Sequence, residues 1–389
     1  MASVLFKQAG LALPDGSVSP GDLRVRDGRI AALAPQLVPE SGEQEIDARG
    51  LILAPGFIDL HIHGALGRDT MEATPEAFET ICRHHAAGGT TTLALTTVCA
   101  SWLDIGRVLD AARDWRARSG ATGARLAGVH VEGPYFSPEK PGAHHATLIR
   151  NPAPDDIDHW VRYTDVITQI TLAPELPGMR ELIPALVAAG IRVSCGHSDA
   201  WDEDAQTAFT AGARHVTHTF NCMSSARRRG PYRVAGLLEA ALANPDVVCE
   251  VIADGRHVSP TLLRMLWNAK GASRVALITD ATAGAGLERG AEFSLGDIRC
   301  RVDDGVALTA DGSALAGSTC RMIDGIRTLA DAGVPLGDAL IAATLTPAAA
   351  LGLRDRGRLE VGACADLVLF DGDFRVRQTW IGGVRVFES

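Results

Sequence analysis

The chain has 389 residues, 46% of them hydrophobic and 22% charged, and carries a net charge of −10 at neutral pH. That length suits one large core with a small second domain, and the composition is that of an ordinary globular enzyme. The acidic balance excludes the basic footprint of a nucleic-acid binder, and no apolar run reaches the ~18 residues of a membrane span.

In chain order, the first fifty residues predict short strands. Residues 4–6 and 23–30 read as hairpin material, the latter around Asp27-Gly28. Residues 1–10 lack a basic stretch followed by a long apolar run, so no signal peptide is expected. Residues 51–60 then predict a buried strand that runs into Asp59-Leu60-His61-Ile62-His63-Gly64. His61 and His63 are two apart, so in an extended chain both side chains fall on one face. Two neutral imidazoles at a strand end can chelate a metal such as Zn²⁺ or Fe²⁺.

From there strand and helix alternate. Thr74-Pro75 marks a helix start and Gly88-Gly89 its end. Further strands are expected over 90–97, 125–131, 166–173, 191–195, 215–217, 247–253 and 274–279. Helices over 102–119, 179–189, 202–211, 236–243 and one capped by Ser259-Pro260 lie between them. Eight such units predict an α/β fold, a (β/α)8 TIM-type barrel over residues 55–350. Residues 365–370 and 379–387 alternate like the N-terminal strands. Neither end alone can bury a core, so residues 1–54 and 351–389 are expected to pair into one small β-sandwich domain.

Barrel enzymes place their active sites at the C-terminal ends of the strands. His61 and His63 end the first strand, Glu132 the third, His197 the fifth, His218 the sixth and Asp280 the eighth. All six converge on one rim in such a barrel. Four imidazoles and two carboxylates suit one or two divalent cations, and Glu132, with two oxygens, can bridge a pair. Zn²⁺ brings the pKa of a bound water to ~7, which fits amide hydrolysis. Asp280 is placed to take that proton and deliver it to a leaving amine.

In this order His61-Ile62-His63, Glu132-Gly133-Pro134, Gly196-His197-Ser198, Thr217-His218 and Thr279-Asp280-Ala281-Thr282 resemble the amidohydrolase superfamily. More narrowly, the chain resembles the N-acetylglucosamine-6-phosphate deacetylases. The sharpest matches are His130-Val131-Glu132-Gly133-Pro134-Tyr135-Phe136, Lys140-Pro141-Gly142-Ala143-His144, Phe220-Asn221-Cys222-Met223, Ala253-Asp254-Gly255-Arg256-His257 and Leu315-Ala316-Gly317-Ser318. The resemblance covers nearly the whole chain. It implies a metal-dependent enzyme that removes acetate from N-acetylglucosamine 6-phosphate. Glu132, His197 and His218 are implied as the principal metal site, with His61 and His63 as a second site. Asp280 is implied as the catalytic acid and base beside the metal, and His144 as the contact to the substrate carbonyl and its oxyanion. Asn221, Cys222 (through its backbone) and His257 are implied as sugar-phosphate contacts. A cytoplasmic homodimer is expected, the partner chain being a candidate source of a phosphate-binding arginine.

The lysines support this branch. Many binuclear amidohydrolases bridge their metals with a carbamylated lysine at the end of strand four. Here that strand ends Thr171-Leu172-Ala173-Pro174-Glu175, and Lys7, Lys140 and Lys270, the only lysines, end no predicted strand. Glu132 is left for the bridging role. The eight cysteines form no C-x-x-C pair and read as reduced thiols of a cytoplasmic protein. One segment departs from the pattern. Where the family usually shows Arg-Glu-Pro-Gly, this chain has Arg227-Arg228-Arg229-Gly230-Pro231-Tyr232-Arg233, and counting eight from Asn221 makes Arg229 the equivalent. A guanidinium suits phosphate. The departure leaves open an N-acetylgalactosamine epimer or a related N-acyl sugar. Two other readings compete: a cyclic-amide hydrolase or deaminase, and a barrel that serves only as a scaffold. The sugar-type motifs weigh against the first, and the retention of all six ligand-type residues against the second.

Overall fold

The structure, a computed structural model, describes residues 3–389. The eight barrel strands are Phe57–Ile62 (β1), Thr90–Thr96 (β2), Arg125–Glu132 (β3), Ile167–Leu172 (β4), Arg192–Cys195 (β5), His215–Val216 (β6), Val248–Ile252 (β7) and Val275–Ile278 (β8). They lie side by side in chain order, each hydrogen-bonded in parallel to the next. Strands covered on both faces should read as unbroken buried runs, and β1, β2 and β8 are buried at every residue. The caps expected from sequence are formed. The Thr74 hydroxyl accepts from the backbone N–H of Ala77 at the head of Pro75–Ala86, and Ser259 does the same for Leu262 at the head of Pro260–Lys270.

The ring closes between β1 and β8 by few contacts. Asp280 N–H donates to the His61 carbonyl at 2.9 Å, and His63 N–H to the Ala281 carbonyl at 2.8 Å. Below them, the buried carboxylate of Asp59 accepts from the Thr279 hydroxyl at 2.6 Å and from the N–H groups of Thr279 and His61 at 3.2 Å. Asp59 therefore ties together the two strands that carry His61, His63 and Asp280.

The chain ends do meet. Ile52–Pro55 pairs antiparallel with Leu367–Phe370, joining N- and C-terminal strands into one eight-stranded sheet. Phe6 and Trp380 meet edge-on in its core, with centroids 5.3 Å apart. Asp27 and Gly28 both take positive φ, at 54° and 75°, as a type I′ hairpin turn requires.

Two insertions at the barrel mouth have no counterpart in the sequence analysis. After β6 comes a hairpin, Arg227–Arg229 against Tyr232–Val234. After β8 comes a four-stranded antiparallel sheet, Glu292–Leu295, Ile298–Val302, Val306–Thr309 and Leu315–Ser318, packed over Val98 and Ala283. Its last strand lies along the end of β8: Ser318 N–H donates to the Asp280 carbonyl at 2.8 Å, and Thr282 N–H to the Ser318 carbonyl at 3.0 Å. No helix among the described residues is long and apolar enough to cross a membrane.

The closure makes a stability prediction. Asp59→Ala leaves buried donors of Thr279 and His61 without an acceptor, at ~1–3 kcal/mol for each unsatisfied group. Urea unfolding is expected to show a loss of about 3 kcal/mol, and a loss under about 1 kcal/mol would place the closure elsewhere.

Candidate active site

Glu132, at the end of β3, sits at the centre of the mouth with its two oxygens facing different partners. Oε1 lies 3.3 Å from His197 Nε2 and 3.2 Å from His218 Nε2. Oε2 lies 3.4 Å from His61 Nε2 and 3.3 Å from His63 Nε2. Asp280 Oδ1 completes the second group, 3.4 Å from His61 Nε2 and 3.2 Å from His63 Nε2. All six side chains predicted from sequence are buried and converge.

The spacing tests whether a metal fits. Within each group the ring nitrogens point at one another, His61 Nε2 to His63 Nε2 at 3.1 Å and His197 Nε2 to His218 Nε2 at 3.0 Å. Two imidazoles cannot satisfy each other and the carboxylates in this way without surplus protons. Tetrahedral ligands ~2.0–2.1 Å from a zinc ion lie ~3.3 Å from one another, and the donor atoms here have that separation. The electrostatics agree. Burial disfavours charge on His61, yet Glu132 and Asp280 outweigh it and hold its pKa well above the ordinary histidine value. Burial is likewise outweighed by Asp280 and Glu132 at His63, raised to about 9, and by Cys222 with Glu132 at His197, raised to about 10. Burial opposes ionisation of Glu132 and Asp280, but the facing imidazoles pull both well down. Two carboxylates that stay ionised against burial, facing imidazole nitrogens, form a donor set that suits a divalent ion.

The backbone bends sharply to present these groups. His197, His218 and Asp280 take φ of 47°, 32° and 50°. Left-handed backbone costs a non-glycine residue roughly 1–3 kcal/mol and clusters at functional sites. Gly317, at φ 69°, lies against Asp280; a Cβ there would sit 2.6 Å from the Asp280 carbonyl oxygen. The Leu315-Ala316-Gly317-Ser318 motif is thus the strand that holds Asp280 in place.

Three histidines, two of them new to the site, have their ring orientation set by a neighbour. Cys99 N–H donates to His144 Nδ1 at 3.2 Å, so the His144 proton is carried on Nε2, which lies 3.6 Å from Glu132 Oε2. Burial pushes the His144 pKa down to about 3, leaving a neutral donor aimed into the site. His197 Nδ1 donates to the Lys140 carbonyl at 2.9 Å, which frees Nε2 for a ligand. His257 Nδ1 donates to Asp254 at 2.6 Å. A cavity of about 210 Å³ joins His63, Glu132, His144, His197, His218 and Asp280 to Asn221, Cys222 and His257. Leu295 and Leu315 of the inserted sheet form part of its wall, a contribution the sequence analysis missed although buried and exposed residues alternate along Glu292–Leu295. A larger cavity, about 480 Å³, lies beyond His144 and is lined by none of the six converging residues.

Arg229 is placed differently from the rest. It lies on the exposed hairpin, paired to Glu203 at 2.6 Å and stacked on Trp201, and does not line the cavity. Arg227 stacks on the same ring and pairs with Asp199.

Residues 52–386 match the amidohydrolase family. The chain belongs to that family. As an amidohydrolase it is a metal-dependent hydrolase; among the described residues His61, His63 and Glu132 form one group close enough to hold an ion, and Glu132, His144 and His197 another. It is 36% identical over 340 residues to N-acetylglucosamine-6-phosphate deacetylase of Vibrio furnissii, covering 87% of this chain and 83% of that protein. It is 34% identical to N-acetylgalactosamine-6-phosphate deacetylase of Escherichia coli O157:H7, covering 96% of each. A mutant N-acetyl-D-glucosamine-6-phosphate deacetylase from Mycobacterium smegmatis, solved in complex with N-acetyl-D-glucosamine-6-phosphate, superposes with a TM-score of 0.90 at 32% identity, covering 99% of this chain and 100% of that one.

Metal removal should register in the fold. An ion at 1,000 times its Kd stabilises by ~4 kcal/mol. Stripping this amidohydrolase with a chelator is expected to lower its thermal midpoint by several degrees, and Zn²⁺ to restore it. An unchanged midpoint would contradict the ligand assignment.

Proposed function

We propose that the chain removes the acetyl group from N-acetylglucosamine 6-phosphate, giving acetate and glucosamine 6-phosphate. The observation that carries this reading is Glu132, with each oxygen facing its own pair of imidazoles and Asp280 beside one pair. Relatives covered over most of their length and named for this activity support the substrate. Glu132, His197 and His218 would hold one divalent ion, and His61, His63, Glu132 and Asp280 a second. The nitrogen and oxygen donor set suits zinc best, and iron(II) also fits it. When bound, such an ion supplies positive charge that polarises an amide carbonyl and acidifies a water.

The chain's own groups do the rest. Asp280, ionised in this setting, takes the proton of the attacking water as that water bonds to the carbonyl carbon. It returns the proton to the sugar nitrogen as the carbon–nitrogen bond breaks. Glu132 is the poorer shuttle, because both its oxygens already face ligand groups. His144 directs its Nε2–H toward the carbonyl oxygen, where negative charge develops. Asn221, Cys222 and His257 line the remaining wall and suit the sugar.

The phosphate needs a cation that the cavity lacks, since no lysine or arginine lines it. In a chain of net charge −10, local arginines must overcome the overall field. The exposed hairpin carries Arg228, Arg229 and Arg233 outward. That arrangement fits a homodimer in which the hairpin of one protomer serves the pocket of its partner. Eight free thiols fit a reducing cytoplasm. The relative that acts on the galactosamine sugar favours a second reading, N-acetylgalactosamine 6-phosphate as substrate.

Acetate release across phosphorylated and free N-acetyl hexosamines tests the reading. Turnover is expected on a 6-phosphorylated sugar; equal turnover of the free sugar would contradict it. Asp280→Asn should lose roughly 10²–10⁴-fold in kcat while staying folded and substrate-competent. Arg229→Ala should raise KM for the phosphorylated sugar by about tenfold or more, the worth of a hydrogen bond to a charged group, with kcat nearly kept.

A further inference from the structure

Beneath the metal-type ligands lies a buried carboxylate that the mechanism does not use. Glu250, on β7, is fully buried in the barrel interior. Its Oε1 accepts from the Gln169 side-chain amide at 2.7 Å, while its Oε2 has no hydrogen-bond partner among the described residues. Facing that oxygen at 3.7 Å is His61 Nδ1, likewise buried and without a partner. We propose that Glu250 is a positioning residue: it accepts the Nδ1 proton of His61 and thereby holds the ring with its Nε2 lone pair toward Glu132 and Asp280.

Two arguments lead there. A buried carboxylate with an idle oxygen is expensive, and an amide or apolar side chain would fill that space at lower cost. The expense is explained if the charge acts on a neighbour. The second argument is the other edge of the same ring. His61 Nε2 lies 3.4 Å from both Glu132 Oε2 and Asp280 Oδ1. An imidazole offers a metal only an unprotonated nitrogen, so the His61 proton belongs on Nδ1, and Glu250 Oε2 is the acceptor that faces it. A carboxylate behind a ligating histidine fixes its tautomer and raises its basicity, and its loss typically weakens metal affinity 10–100-fold. His197 shows the same device in another form, its Nδ1 held by the Lys140 carbonyl. The part that concerns metal rests on the two-ion reading above; the pairing of Glu250 with His61 Nδ1 does not.

The decisive variant is Glu250→Gln. Its amide oxygen can stay on Gln169, and its amide N–H then turns toward His61 Nδ1, which favours the proton on Nε2 and blocks the metal-facing lone pair. Proton spectra of the full chain, labelled with ¹⁵N-histidine and loaded with Zn²⁺, are expected to show a low-field, slowly exchanging Nδ1–H from His61 in the parent. That signal should vanish in Glu250→Gln. Zn²⁺ titration should show the His61–His63 site weakened about 10–100-fold, with the Glu132–His197–His218 site kept. The thermal midpoint of the stripped variant should match or exceed that of the parent, which a carboxylate serving stability alone would not allow. Gln169→Met, which keeps the carboxylate, should retain both the Nδ1–H signal and zinc uptake. A parent without the low-field proton, or a Glu250→Gln protein that keeps it, overturns the proposal. A parent that takes up a single zinc ion refutes the two-ion reading instead, and the Nδ1–H signal still decides the role of Glu250.

Discussion

Two pairs of imidazole nitrogens meet across about 3 Å at the mouth of this barrel, with the Glu132 carboxylate between them. In the absence of positive charge that packing is unfavourable. The nitrogens repel as acceptors, and the carboxylates repel each other through a low-dielectric interior. A divalent cation held there would supply the missing positive charge. The arrangement suits a coordination shell, and much of the fold near it serves to hold these groups in place.

That support comes from several directions. Parallel strands bring distant residues to one rim, and left-handed backbone at His197, His218 and Asp280 turns their side chains inward. Asp59 ties β1 to β8, so the two strands that carry His61, His63 and Asp280 keep a fixed register. The inserted sheet then lays Ser318 along Asp280, with Gly317 providing the close approach that a side chain would prevent. Polar groups below the site, Glu250 and Gln169 among them, extend the same logic into the barrel interior.

Much of this was legible in the sequence because it depends on local rules. Strand–helix alternation, caps at Thr74 and Ser259, and ligand-type residues at strand ends are short-range signals, and the structure brings all six expected residues together. What escaped has a physical reason. The inserted sheet over 292–318 alternates buried and exposed residues, yet lies where a barrel pattern predicts only a helix. Asp59 reads as one polar residue in an apolar strand until its partner Thr279, 220 positions away, is placed beside it. Arg229 differs in another way. Its sequence spacing suits a phosphate ligand, but within one chain the Trp201 ring and Glu203 hold it away from the cavity. Sequence spacing alone does not show that a hairpin will hold the side chain away from the cavity.

The six converging side chains all come from one chain, and no arginine or lysine among the described residues lines their cavity. The central claim is the bridging role of Glu132, and anomalous scattering from crystals of the Zn²⁺-loaded protein, recorded at the zinc absorption edge, tests it most directly. The account predicts two peaks, one bonded to Glu132 Oε1 with His197 and His218, the other to Glu132 Oε2 with His61, His63 and Asp280, each ~2.0–2.2 Å from its ligands. Zinc bound without Glu132 among its ligands would contradict it.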